Sequence, residues 1–136
     1  MTRVLKTSGF LGLAVMMVVG LYQHSLSASG GAPSWMVGGH AHLGVLSIMA
    51  VALGVVVDVY DVAGRLRTAV SGLYVAGQWL LPVSLWVGVG FELFPLLATI
   101  YLWGLFLLVA MLLMAYHFAT GDAATGPPTA GVPADD

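Results

Sequence analysis

The side chains best suited to chemistry in this sequence are four histidines, His24, His40, His42 and His117. A neutral imidazole exchanges protons near pH 7 and ligates zinc or haem iron through a ring nitrogen. His40 and His42 are two positions apart, and each helical step turns about 100°, so on a helix their rings point about 200° apart. They cannot easily chelate one ion from the same helix. Helical spacing from His40 passes through Gly44, Ser47, Val51, Gly54 and Asp58, a small and polar stripe of the kind that lets membrane helices approach closely. Spacing from His42 passes through Leu46, Met49, Leu53 and Val56, which are all apolar. His40 is therefore expected to face the interior of a helix bundle. His42 is expected to face lipid, an apolar cofactor or a neighbouring subunit. An imidazole directly in lipid is costly, whereas one beneath a haem and flanked by Leu and Met is ordinary.

The elements that hold these histidines are membrane spans. Of the 136 residues, 60% are hydrophobic and 7% are charged, against about 25% charged in a typical soluble domain. So few charges exclude a soluble globule, and so much apolar character excludes disorder. Four basic residues and a net charge of −2 leave no footprint for nucleic acid. Without cysteine there are no disulfides, thiolate metal sites, iron–sulfur clusters or covalently attached c-type haem. No Asp, Glu, Lys or Arg occurs from Thr7 to Val57. About 20 apolar residues cross a bilayer, so this stretch holds two spans, broken at the turn-forming run from Ser27 to Ser34 with its Pro33.

The reading is all-α, an integral membrane four-helix bundle with helices at about 8–26, 39–57, 68–90 and 96–117. A Gly-, Pro-, Ala- and Thr-rich tail, expected to be disordered, covers 121–136. Arg3 and Lys6 precede the first helix, and Arg65 and Arg67 lie between the second and third. Four spans put all four on one side, which the distribution of basic residues in membrane proteins makes cytoplasmic. Both termini are then expected in the cytoplasm of a multi-pass protein of the cell membrane. The alternative is a cleaved signal peptide, with Arg3 and Lys6 ahead of an apolar stretch and small residues near Ser27. It would leave three spans and remove His24.

On the four-span reading, His24, His40 and His42 share the outer level, and Glu92 lies at the outer turn between the third and fourth helices. His117 lies at the opposite level, near Asp58. One such residue is easily a polar cap, but three imidazoles at one depth suggest a site. Neutral imidazoles with Glu92 suit zinc with one position open; the large apolar surfaces suit haem b better. In the third helix Ser71, Tyr74 and Gln78 form a polar stripe, with Pro82 a turn further. A buried amide needs partners, so Gln78 is either interhelical glue or, with Tyr74, the lining of a substrate pocket that Glu92 could join. Trp79, Trp86, Trp103 and Tyr101 read as packing or interfacial anchors. The methionines read as core rather than copper ligands. Gly9-Phe10-Leu11-Gly12 and Gly38-Gly39 lack the strand–helix setting of a phosphate loop, and no nucleophilic triad or carboxylate pair is present.

The run His40-Ala41-His42-Leu43-Gly44 resembles a group of small four-span membrane proteins whose second helix opens with His-Ala-His-Leu, similar to the His-x-His haem-ligand element of haem-copper oxidase catalytic subunits. The likeness covers most of 38–57 and the span count. Those proteins often add histidines at the start of the third helix; the run from Leu73 to Gln78 has none, a departure that bears on a second haem or a full redox centre. Ala41-His42, Gly44, the run Met49-Ala50-Val51-Ala52 and Gln78-Trp79 are also similar to the styrene oxide isomerase and hydroxylaminobenzene mutase family. That resemblance implies a ferric haem b between subunits, held by His42 and acting as a Lewis acid. The family's asparagine after the ligand has no clear counterpart here, where Ser47 and Ile48 stand. Both resemblances imply haem b on His42, with His40 or His24 as candidate second ligands. They leave open an electron-transfer or oxidase-like accessory role, an isomerase, and a cofactor-free structural subunit. The expected partners are lipid and either further copies of the chain or a respiratory-type membrane protein.

Overall fold

The computed structural model describes residues 2–120, and every long element in it is a helix. The helices are α1 (Thr2–Leu26), α2 (Ser34–Val59), α3 (Gly64–Gly90), the short α4 (Phe94–Ala98) and α5 (Ile100–Thr120). Four helices, with α4 and α5 counted as one, are long and apolar enough to cross a membrane. Their outward faces carry exposed Phe10, Val18, Leu21, Leu105, Leu108 and Leu112. Apolar surface on that scale belongs against acyl chains rather than water. The proposed tail at 121–136 lies outside the described residues.

All four spans begin earlier in the chain than the apolar runs suggested. Arg3, Lys6, Arg65 and Arg67 all lie within helices, because Lys and Arg are good helix formers and reach the polar edge with their long stems. The fourth span is broken where the sequence suggested one continuous helix. At Thr99 the hydroxyl donates to the carbonyl of Leu96 at 2.6 Å, separating α4 from α5. The indole N–H of Trp103 is shared between Thr99 and Ser84 hydroxyls, each at 3.0 Å, which fastens the start of α5 to α3.

Helices α1, α2 and α3 form the tight part of the bundle; α5 lies backbone-close to α3 and meets α2 through side chains. The α1–α2 seam is the small, polar stripe of α2. A side-chain carbon at Gly9 would meet Val51 and the Ser47 carbonyl, one at Gly44 would meet Met16, and one at Gly54 would meet Lys6 and Leu5. Glycine permits these helices to touch backbone to backbone, where dispersion and interhelical hydrogen bonds can act. At one edge of the bundle the Lys6 ammonium sits 2.5 Å from Asp58, and an Arg67 nitrogen 3.9 Å from it. The basic residues of α1 and α3 thus meet the acidic end of α2 at a common level.

The turn from α2 to α3 is closed by hydrogen bonds from Asp61 N–H to Asp58 carbonyl (3.2 Å) and Val62 N–H to Val57 carbonyl (3.0 Å). Val62 is buried in the core against Val57. This is the 6→1 and 5→2 pattern of a left-handed helix end, with Asp61 at φ +46° where glycine is usual.

Candidate functional site at the outer end of α2

His42 stands on the outer surface of α2, exposed. Its Nδ1 lies 2.8 Å from the carbonyl oxygen of Gly38, one turn back. A carbonyl only accepts, so Nδ1 carries a proton, and in the neutral ring Nε2 then carries the free lone pair. This backbone contact fixes both tautomer and ring orientation, as the outer-shell partner of a ligating histidine does. Around the ring Ala41, Val45 and Leu46 form a shallow hollow of about 260 Å³. Further along the same face of α2, Met49, Ala52, Leu53 and Val56 meet Met111, Met114, Ala115 and Phe118 of α5 across an apolar cleft of about 360 Å³.

His40 faces the other way. It packs on Gly20 of α1, where an added side-chain carbon would sit 3.1 Å from the ring, and its buried Nδ1 has no hydrogen-bond partner. His24 stands one turn beyond Gly20 on α1 and is exposed. Next to it, the Gln23 side-chain amide donates to the Met36 carbonyl at 2.9 Å. Glu92 is exposed in the turn after α3, at φ +57°. His117 is near the far end of α5, its ring 5.5 Å from that of Phe118. The expected meeting of His24, His40 and Glu92 with His42 does not occur as a metal-holding group: among the described residues no three His, Asp or Glu side chains cluster that way. The His-x-His spacing itself divides the pair, one ring to the α1 seam and one to the outside.

Tyr74 and Gln78 are buried together in the core. The Tyr74 hydroxyl donates to the Leu46 carbonyl at 3.0 Å. Gln78 accepts from the Ser8 hydroxyl at 2.9 Å and donates to the Ser8 carbonyl and the Ser47 hydroxyl, both at 3.1 Å. Trp79 adds a donation to the Ser8 hydroxyl at 2.8 Å. One amide thereby links α1, α2 and α3, and its polar atoms are engaged with protein. Ser8 was not singled out by sequence reasoning; a hydroxyl one turn before Gly12 on an otherwise apolar helix is the signal that could have found it.

Over its full length, residues 1–136, the chain matches the family model described as a domain of unknown function, DUF8059. The chain belongs to that family. No curated protein and no solved structure matches it.

The donor set at His42 bears on which group could sit there. One free imidazole nitrogen on an apolar face fits an axial ligand of haem iron, which needs a single protein donor and a large apolar contact. The same set does not fit zinc, whose protein sites use three or four protein ligands.

Proposed function

We propose that this protein is a four-span protein of the cell membrane, with both termini cytoplasmic, that binds haem b through His42. The observation that carries the reading is the Nδ1 contact of His42 to the Gly38 carbonyl, which leaves Nε2 presented from an apolar surface. Ala41, Val45 and Leu46 would help hold the group beside His42, with the α2 face towards Met49 beyond them. When bound, the haem would supply a redox-active iron or, with its second axial position open, a Lewis acid. The chain's own part is to orient one imidazole and exclude water from one side.

The topology rests on the basic residues. Lys6, Arg67 and Asp58 share one edge, and an excess of Lys and Arg marks the cytoplasmic side. The bonds from Ser8 to Gln78 and the packing of Gly9 and Gly12 on α2 support a first span that stays with the bundle. The hollow at His42 is shallow, and the apolar face of α5 is open. Both features favour work in contact with a second copy or another membrane protein.

The test is the absorption spectrum of the detergent-purified protein, oxidised and reduced, with the haem type read from its pyridine haemochrome. Haem b at one per chain or one per two chains is the expected result. A low-spin, six-coordinate spectrum would assign electron transfer with a second ligand from a partner; a high-spin spectrum would assign an open iron position suited to isomerase chemistry. Protein that stays colourless when expressed with haem supplied would overturn the reading in favour of a structural subunit.

A further inference from the structure

A second, separate feature lies in the half of the bundle that carries the basic residues. A groove of about 360 Å³ runs between α1 and α3, lined by Arg3, Val4, Thr7, Ser8 and Leu11 of α1 and by Trp79 of α3. Arg3, Thr7 and Leu11 recur every fourth residue and so form one stripe, with successive members about 6 Å apart along the axis. Read inwards from the membrane edge, the stripe passes from a cation, through an exposed hydroxyl, to an exposed aliphatic chain beside an indole. The Ser8 hydroxyl at the floor is committed to Gln78 and Trp79, so the groove is polar at its mouth and apolar in depth.

Among the described residues the charge at the mouth is not balanced. Lys6 and Arg67 share the Asp58 carboxylate, but among the described residues Arg3 has no carboxylate within ion-pair distance. Among the described residues at this edge, Arg3, Lys6, Arg65 and Arg67 outnumber Asp58 and Asp61. We propose that the α1–α3 groove binds one anionic phospholipid of the adjacent leaflet. Its phosphate pairs with Arg3, its ester region lies at Thr7, and one acyl chain runs along Leu11 against Trp79. The order of groups along the groove is the order of groups along such a lipid, and the unpaired guanidinium selects a net negative headgroup over a zwitterionic one. This site stands apart from the haem reading and does not depend on it.

The experiment is native mass spectrometry of the full chain released from detergent, titrated with phosphatidylglycerol or with phosphatidylcholine. One phosphatidylglycerol is expected to remain bound, preferred about fivefold over phosphatidylcholine, as one basic contact to an anionic lipid implies. Arg3→Gln should erase the preference. Leu11→Trp, at an exposed position, should fill the groove and lower retention of both lipids while the melting temperature stays that of the unaltered chain. Arg65→Gln, outside the groove, should leave the preference in place, and added inorganic phosphate should not displace the lipid. Equal retention of both lipids by the unaltered chain, or an unchanged preference in Arg3→Gln, would overturn the proposal. So would a dimer peak that Leu11→Trp abolishes, since a second copy would then occupy the groove.

Discussion

The Ser8 hydroxyl and the side-chain carbonyl of Gln78, 70 positions apart in the chain, meet at 2.9 Å in the buried core. Around that bond Ser47 and Trp79 complete a network joining α1, α2 and α3. Gln78→Leu leaves the Ser8 and Ser47 hydroxyls without their amide, and is expected to lower stability by about 1–3 kcal/mol. Thermal unfolding in detergent measures it. Ser8→Ala combined with Gln78→Leu should cost less than the two single changes added, because both partners of one bond are removed together.

Gly12 lies where α1 crosses that network. An alanine methyl there would press on the Ser47 hydroxyl and come within 2.7 Å of the Gln78 amide nitrogen. Gly12→Ala should therefore lose about 1–3 kcal/mol through overpacking. Gly72 has nothing within 4 Å of the corresponding point, and Gly72→Ala should be neutral or mildly stabilising. Equal melting temperatures for the two variants would contradict a close α1–α2 seam.

At the α2–α3 turn Asp61 holds a left-handed conformation, φ +46°, that side chains disfavour. Asp61→Gly is expected to raise stability by about 1 kcal/mol. The hydrogen bond from Val62 N–H to the Val57 carbonyl should be retained, which amide hydrogen exchange at Val62 would report.

The span count was legible because charged and turn-forming residues punctuate the apolar runs, and the two faces of α2 were legible from helical spacing. The stripe through Gly44, Ser47 and Gly54 does lie buried. The helix starts were set too late because Arg3 and Arg65 at the membrane edge continue the helix rather than end it. The break at Thr99 was not visible: it depends on a hydroxyl bonding its own backbone and on Trp103 reaching Ser84 across the helix pair. Equal depth for His24, His40 and His42 was inferred from position along the spans, and depth says nothing about direction. His40 turns to Gly20 while His42 turns outward, and Glu92 stays in its exposed turn. Gln78 was open between glue and pocket until its partner Ser8, on a different helix, was identified.

The most direct measurement compares the haem spectra of two single variants purified alongside the unaltered protein. His42→Ala is expected to lose the Soret band while keeping its helical circular dichroism. His40→Ala, whose ring lies on the α1 seam, is expected to keep the band even if its melting temperature falls. A Soret band that survives in His42→Ala at the unaltered protein's intensity would contradict the assignment of His42 as the haem ligand.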